Sequence, residues 1–200
     1  MKNLIACLTV CVVGSAALAD TWTVDDDGKA DFDNIQAAVD AASDGDEIIV
    51  MPGTYTSTAG EVVDMLGKAV TLRSNDPSDP SVVAATIIDG ENQRRGIVCF
   101  NNETEKTTIE GLTITNGYES DDGGGGGIQC TGASPTISHC IISNNEALNG
   151  AAISSSGGNT VVSDCKINNN YSRWYGGGVS TDESVPTSIS FLNCELLSYF

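Results

Sequence analysis

Positive charge is scarce in this chain. Lys and Arg number 9 against 27 Asp and Glu in 200 residues, a formal net charge of -18. So acidic a surface argues against a nucleic-acid backbone or an anionic bilayer as partner. There is one histidine, His139, where a histidine-built metal centre needs several. No apolar run reaches the ~20 residues that span a membrane. Seven cysteines are too sparse for a disulfide-built scaffold. No Lys-Ser or Lys-Thr follows the glycine run 123–127, which excludes a phosphate loop. Disorder is excluded as well, since hydrophobic residues make up 40% and charged ones only 18%.

What is present opens with an address. Lys2 precedes an apolar run from Leu4 to Val13, and Ala17-Leu18-Ala19 supplies a small-x-small cleavage site. Residues 1–19 therefore read as a secretory signal peptide, and a mature chain of residues 20–200 is expected to be secreted or held at a cell surface. That mature part carries no transmembrane segment. It keeps Cys99, Cys130, Cys140, Cys165 and Cys194, an odd set that leaves at least one thiol free or paired with another chain.

Trp22 to Val24 reads as a strand, and a helix follows. Asp33 is expected to cap it, with Gln36 completing a capping box. Ile35, Ala38, Val39 and Ala42 form one apolar stripe, and Asp44-Gly45 ends it. So short a helix needs an apolar surface to lie on, and plugging one end of a strand stack would supply it.

The remainder is self-similar. Residues 109–116, 137–144, 162–169 and 191–198 align at separations of 28, 25 and 29, and Gly127-Ile128, Ala152-Ile153 and Gly178-Val179 repeat at 25 and 26. Each unit holds short strands and no helix. A constant strand pattern with insertions of variable length between strands is the mark of a solenoid. Equivalent residues then stack at ~4.8 Å. Leu112, Cys140, Cys165 and Cys194 form one interior ladder, and Ile114, Ile142, Ile167 and Leu196 the next. Asn116, Asn144 and Asn169 fall at a bend, where their amides are expected to bond along the stack. Leu196–Phe200 is an apolar run without a polar cap, so the chain is read as the N-terminal part of a longer solenoid; alternatively Tyr199 and Phe200 fold over the last coil, or the open end is an assembly surface.

Two groups of residues invite chemistry. Tyr171, Arg173, Trp174 and Tyr175 could present rings and a guanidinium to a sugar or a protein partner, or could simply cover a bend. Glu119, Asp121 and Asp122 precede the glycine run and could hold Ca²⁺; so could Asp25, Asp26, Asp27 and Asp31, unless these are solvated turn acids. No cofactor is required by any motif. Cys140 and Cys165 read as buried thiols or, alternatively, as a disulfide across adjacent coils. Asn102-Glu-Thr104 and Asn170-Tyr-Ser172 match the glycosylation acceptor pattern.

The opening from Trp22 through Asp31-Phe32, Ile35 to Val39 and Gly45 to Tyr55 resembles the capped first coil of the right-handed parallel β-helix superfamily, the pectin-lyase-like fold. Pro135-Thr-Ile, Cys140, Asn144 and Ala152-Ile153 resemble repeats of chlamydial polymorphic outer-membrane proteins and of secreted planctomycete-type proteins. The resemblance implies an all-β, right-handed parallel β-helix solenoid with a short N-terminal capping helix over residues 20–200. It also implies a bacterial location that is secreted or associated with the outer membrane. Lyases of that superfamily use carboxylate-bound Ca²⁺ with an Arg or Lys base, and its hydrolases use paired carboxylates. Neither motif transfers here residue by residue. The expectation is display, adhesion or glycan binding toward an extracellular polysaccharide or a surface or matrix component; the alternative is a polysaccharide (pectate or polyuronate) lyase or a glycoside hydrolase.

Overall fold

The computed structural model describes residues 18–121, 124–182 and 185–197, and Tyr175 by its backbone. Residues 1–17, on which most of the expected signal peptide falls, Asp122, and the closing Ser198-Tyr199-Phe200 lie outside the described residues.

β1 (Thr21–Val24) leads into α1 (Ile35–Ala41). The first coil is β2 (Glu47–Val50), β3 (Gly53–Tyr55) and β4 (Glu61–Asp64). The second is β5 (Thr71–Ser74), α2 (Pro80–Ala85), β6 (Thr86–Asp89) and β7 (Arg95–Cys99). The third is β8 (Thr108–Glu110), β9 (Thr113–Thr115) and β10 (Ile128–Thr131). The fourth is β11 (Thr136–Ser138), β12 (Ile141–Ser143), β13 (Glu146–Asn149) and β14 (Ile153–Ser156). The fifth is β15 (Asn159–Ser163), β16 (Lys166–Asn168), β17 (Tyr171–Tyr175) and β18 (Val179–Thr181), and β19 (Ser188–Leu192) with β20 (Glu195–Leu197) begins a sixth.

Strands pair with their equivalents one coil away, always in parallel. Three sheets result, in the orders β1-β2-β5-β8-β11-β15-β19, β3-β6-β9-β12-β16-β20 and β4-β7-β10-β14-β18. The chain is a right-handed parallel β-solenoid. Leu72, Ile109, Ile137, Val162 and Phe191 are direct register partners. So are Ile88, Ile114, Ile142, Ile167 and Leu196, and likewise Ile97, Ile128, Ile153 and Val179. These inward ladders are the core. Burying each Ile or Leu contributes about 1.5–3 kcal/mol relative to exposure. On the last coil Leu192, Leu196 and Leu197 are exposed.

α1 closes the N-terminal end, with Ile35, Ala38 and Val39 buried. The cap differs from the sequence reading: Asn34, not Asp33, accepts the Ala37 N–H. Gln36 does not close a capping box but reaches across to Asp64, accepting its N–H at 2.8 Å. At the other end Lys68 Nζ donates to the carbonyls of Val39, Asp40 and Ala42, a cation at the C-terminal end of the helix, where carbonyls lack intrahelical partners. The sequence reading had no second helix. α2 is six residues inserted between β5 and β6, started by the Asp79 side chain and Pro80.

Two bends recur in the third, fourth and fifth coils, the first of them again in the sixth. One uses Gly111, His139, Asp164 and Asn193, the other Asn116, Asn144 and Asn169, all with φ between 52 and 66°. This accounts for His139: it is a turn residue in the left-handed region. As expected, Asn116 and Asn144 make the bend and bond to the preceding coil, at Asp89 and Thr115, with Asn144 also meeting Ser143. A second amide ladder, Asn145 and Asn170, runs one residue later and is buried.

The cysteine ladder is interior as expected, with Cys140 and Cys165 buried and Cys194 partly so, while Cys99 and Cys130 are register partners on the β7/β10 face. All five are free thiols, so the Cys140–Cys165 disulfide alternative is not realised. The three ladder thiols instead point back across their bends. Cys140, Cys165 and Cys194 Sγ donate to the carbonyls of Ser138, Ser163 and Leu192 at 3.2, 3.1 and 3.4 Å. The Cys140 contact and burial push the Cys165 thiol up, and the Cys130 contact and burial do the same to Cys99.

Candidate binding surface

Between β12 and β14 of the fourth coil and between β16 and β18 of the fifth, β13 and β17 add a small sheet beside the three main ones. Tyr118 and Gly124 of the third coil bridge to its edge at Glu146 and Asn149. The approach is close: a Cβ on Gly117 would lie 2.0 Å from the Gly126 carbonyl oxygen, so only glycine fits there.

The β13/β17 register carries a bulge. Glu146 faces Tyr171 and Ala147 faces Ser172, but Asn149 faces Tyr175. Arg173 and Trp174 therefore both stand opposite Leu148. An extra residue of this kind re-aims side chains and breaks the inside-outside alternation. Leu148 is buried, while Trp174 is 68% exposed and Tyr171 59%. The backbone of Tyr175 closes the strand; its side chain lies outside the described residues.

Arg173 is held in place. Its Nε and Nη2 donate to Glu146 Oε1 at 2.9 and 2.5 Å, and Nη2 donates to the Tyr118 hydroxyl at 3.3 Å. The guanidinium lies 5.7 Å from the centre of the Tyr118 ring. The Glu146 bond, followed by the Tyr118 bond, holds the Arg173 pKa above its ordinary value.

Glu119 lies next to this group with its oxygens committed: Oε2 pairs with Arg95, and Oε1 accepts the Asp121 N–H at 2.7 Å. Asp121 is exposed and accepts from Ser120. Among the described residues no three His, Cys, Asp or Glu side chains converge as a metal site would require. Three acids of the first turn likewise have their oxygens engaged. Asp31 accepts from the Thr23 N–H and hydroxyl, Asp26 accepts the Thr54 N–H, and Asp27 pairs with Lys29. The Thr23 bonds lower the Asp31 pKa.

Every arginine in the chain is ion-paired with a glutamate: Arg73 with Glu47, Arg94 with Glu91, Arg95 with Glu119 and Arg173 with Glu146. Sequence reading placed the Tyr171–Tyr175 group but missed Tyr118 and Glu146, which lie 55 and 27 residues from Arg173. Only the coil stacking brings them together. Of the two glycosylation acceptor patterns, Asn102 is exposed whereas Asn170 is buried with its amide fully bonded.

No protein-family model matches this chain, and no curated protein matches its sequence. No helix among the described residues is long and apolar enough to cross a membrane.

Proposed function

We propose that this is an exported, surface-displayed β-solenoid that binds carbohydrate on the small sheet of β13 and β17. The observation that carries the reading is the exposure of Trp174 and Tyr171 beside a guanidinium fixed by Glu146 and Tyr118. Aromatic faces left in water on a rigid strand cost little further entropy when a sugar ring stacks on them. Arg173 adds donors already oriented. The resemblance of the repeat to chlamydial polymorphic outer-membrane proteins and planctomycete-type secreted proteins, within the pectin-lyase-like superfamily, supports the placement at a surface.

The ligand class follows from charge. With each arginine neutralised by a glutamate on a chain of net charge -18, a polyuronate finds repulsion and little unpaired cation. Neutral glycans fit better. The same pairing disfavours the lyase alternative, whose base would be an arginine or lysine beside carboxylates and free to take a proton.

The test is binding of the secreted chain to neutral and acidic glycans, with Ca²⁺ or chelator, while monitoring unsaturated product. Retained neutral-glycan binding that falls at least tenfold in Trp174→Ala supports the reading. Binding that is indifferent to this substitution, or release of unsaturated product, overturns it.

A further inference from the structure

Asp46 sits in the turn after α1 and is 4% exposed. Its carboxylate collects three N–H donors. The backbone nitrogen of Asp20 donates to Oδ1 at 2.8 Å, that of Ser43 to Oδ2 at 2.8 Å, and the Trp22 indole to Oδ2 at 3.1 Å. All three donors are neutral in the uncut chain. Among the described residues Asp46 has no Lys or Arg within ion-pair distance. A buried carboxylate without a counter-charge is costly. One of its donors is the nitrogen that cleavage after Ala17-Leu18-Ala19 would release, and Leu18, Ala19 and Asp20 are exposed coil.

We propose that hydrolysis of the Ala19–Asp20 peptide bond converts the Asp20 nitrogen into an ammonium held by Asp46, so that export processing locks β1 onto the first coil. In that step water adds to the Ala19 carbonyl and the C–N bond breaks. Ala19 leaves as a carboxylate, and the Asp20 amine takes up a proton. The catalyst is an endopeptidase of the signal-peptidase class, supplied by the export machinery. The proposal rests on the export part of the reading above and is independent of the glycan.

Geometry favours the lock. The Asp20 carbonyl accepts the Glu47 N–H at 2.9 Å, so the new terminus stays tethered beside Asp46. An N–H···O⁻ contact charged only at the acceptor becomes one charged at both ends, which adds a Coulombic attraction to the hydrogen bond. The other charged groups nearby are Lys68, seated on the α1 carbonyls; Asp44, which accepts the Ala69 N–H; Glu47, paired with Arg73; and the Asp20 carboxylate itself.

An α-amino group ordinarily titrates near ~7.7–8.0. Pairing with Asp46 raises that value in the folded chain. The extra stability is therefore complete below the ordinary value and is lost as pH rises through the raised one. A chain whose Asp20 nitrogen is acylated lacks it at every pH.

Two measurements test this. First, the full chain is expressed in an exporting bacterium and the secreted product's N-terminus sequenced. Asp20 is expected, and a different first residue overturns the assignment. Second, a chain released from a cleavable fusion so that it begins at Asp20 is compared with its α-acetylated form. At pH 7 the free amine should melt about 3–5 °C higher, and the gap should shrink at pH 9.5. Asp46→Asn should remove the gap. Equal midpoints at pH 7 overturn the lock. A chain that is never exported sinks the export reading alone, because the melting comparison still decides the lock.

Discussion

A single oxygen joins two coils: Asn170 Oδ1 accepts the backbone N–H of Asn145 at 3.0 Å and its side-chain amide at 2.9 Å. Asn170 Nδ2 returns to the carbonyls of Ile142 and Asn168, and Asn145 repeats the pattern toward Gly117 and Ile114. Both side chains are buried, so a lost partner leaves an unbonded backbone group without water. Asn170→Ala should destabilise by about 2–3 kcal/mol in urea unfolding. Asn169→Gly, one residue earlier at φ 54°, should stay within about 0.5 kcal/mol. Equal effects of the two would contradict the assignment of the ladder to Asn145 and Asn170.

Trp174 separates binding from stability. At 68% exposure its truncation should change unfolding free energy by no more than about 0.5 kcal/mol. Glycan affinity should nevertheless fall at least tenfold, about 1.4 kcal/mol. Arg173→Lys should also weaken binding, since an ammonium cannot span both Glu146 and Tyr118. Isothermal titration beside a melting curve checks both.

Acid sensitivity should report on the N-terminal cap. The N–H donors of Ser43 first, then of Asp20, hold the Asp46 carboxyl below the usual carboxylate range. Its contribution to stability is present above the unfolded pKa of about 3.9 and is lost as pH falls through the lower folded value. Asp31, lowered by Thr23, adds in the same direction. Asp46→Asn should flatten the fall in melting temperature between pH 5 and pH 2.5, and an unchanged slope would refute the role.

Thiol chemistry should follow burial. In a native chain of residues 20–200, Cys194 is the partly exposed cysteine, while Cys99, Cys130, Cys140 and Cys165 are buried. Cys194 should react first with an aromatic disulfide reagent, the others only on unfolding, when five thiols titrate. Fewer than five in the denatured, unreduced chain would mean that a disulfide forms.

Much of the fold was legible because a solenoid repeats its burial demands. The spacing of Ile114, Ile142 and Ile167 encodes coil length directly, and those residues are register partners. Where a bend offers neighbouring positions, legibility fell. Asn144 and Asn145 are the same residue type, but one takes the left-handed turn and the other the buried amide bonds. The same ambiguity between Asp33 and Asn34 misplaced the α1 cap. α2 escaped notice because six residues hold too little periodicity, although Asp79-Pro80 was a usable start signal.

By itself, then, the sequence determined the parallel stack with its inward aliphatic and thiol ladders, because each follows from a local pattern repeated about every 25–29 residues, and the capping helix, because its apolar stripe is local. It also singled out Tyr171, Arg173, Trp174 and Tyr175 as a group. Only the tertiary structure decided what Arg173 touches, that Glu119 belongs to Arg95, and that Asp20, Trp22 and Ser43 converge on Asp46. Apart from the local Ser43 bond, those contacts join residues about 24 or more apart in the chain. Their pairing depends on insertion lengths and on one bulged residue, which no local pattern records.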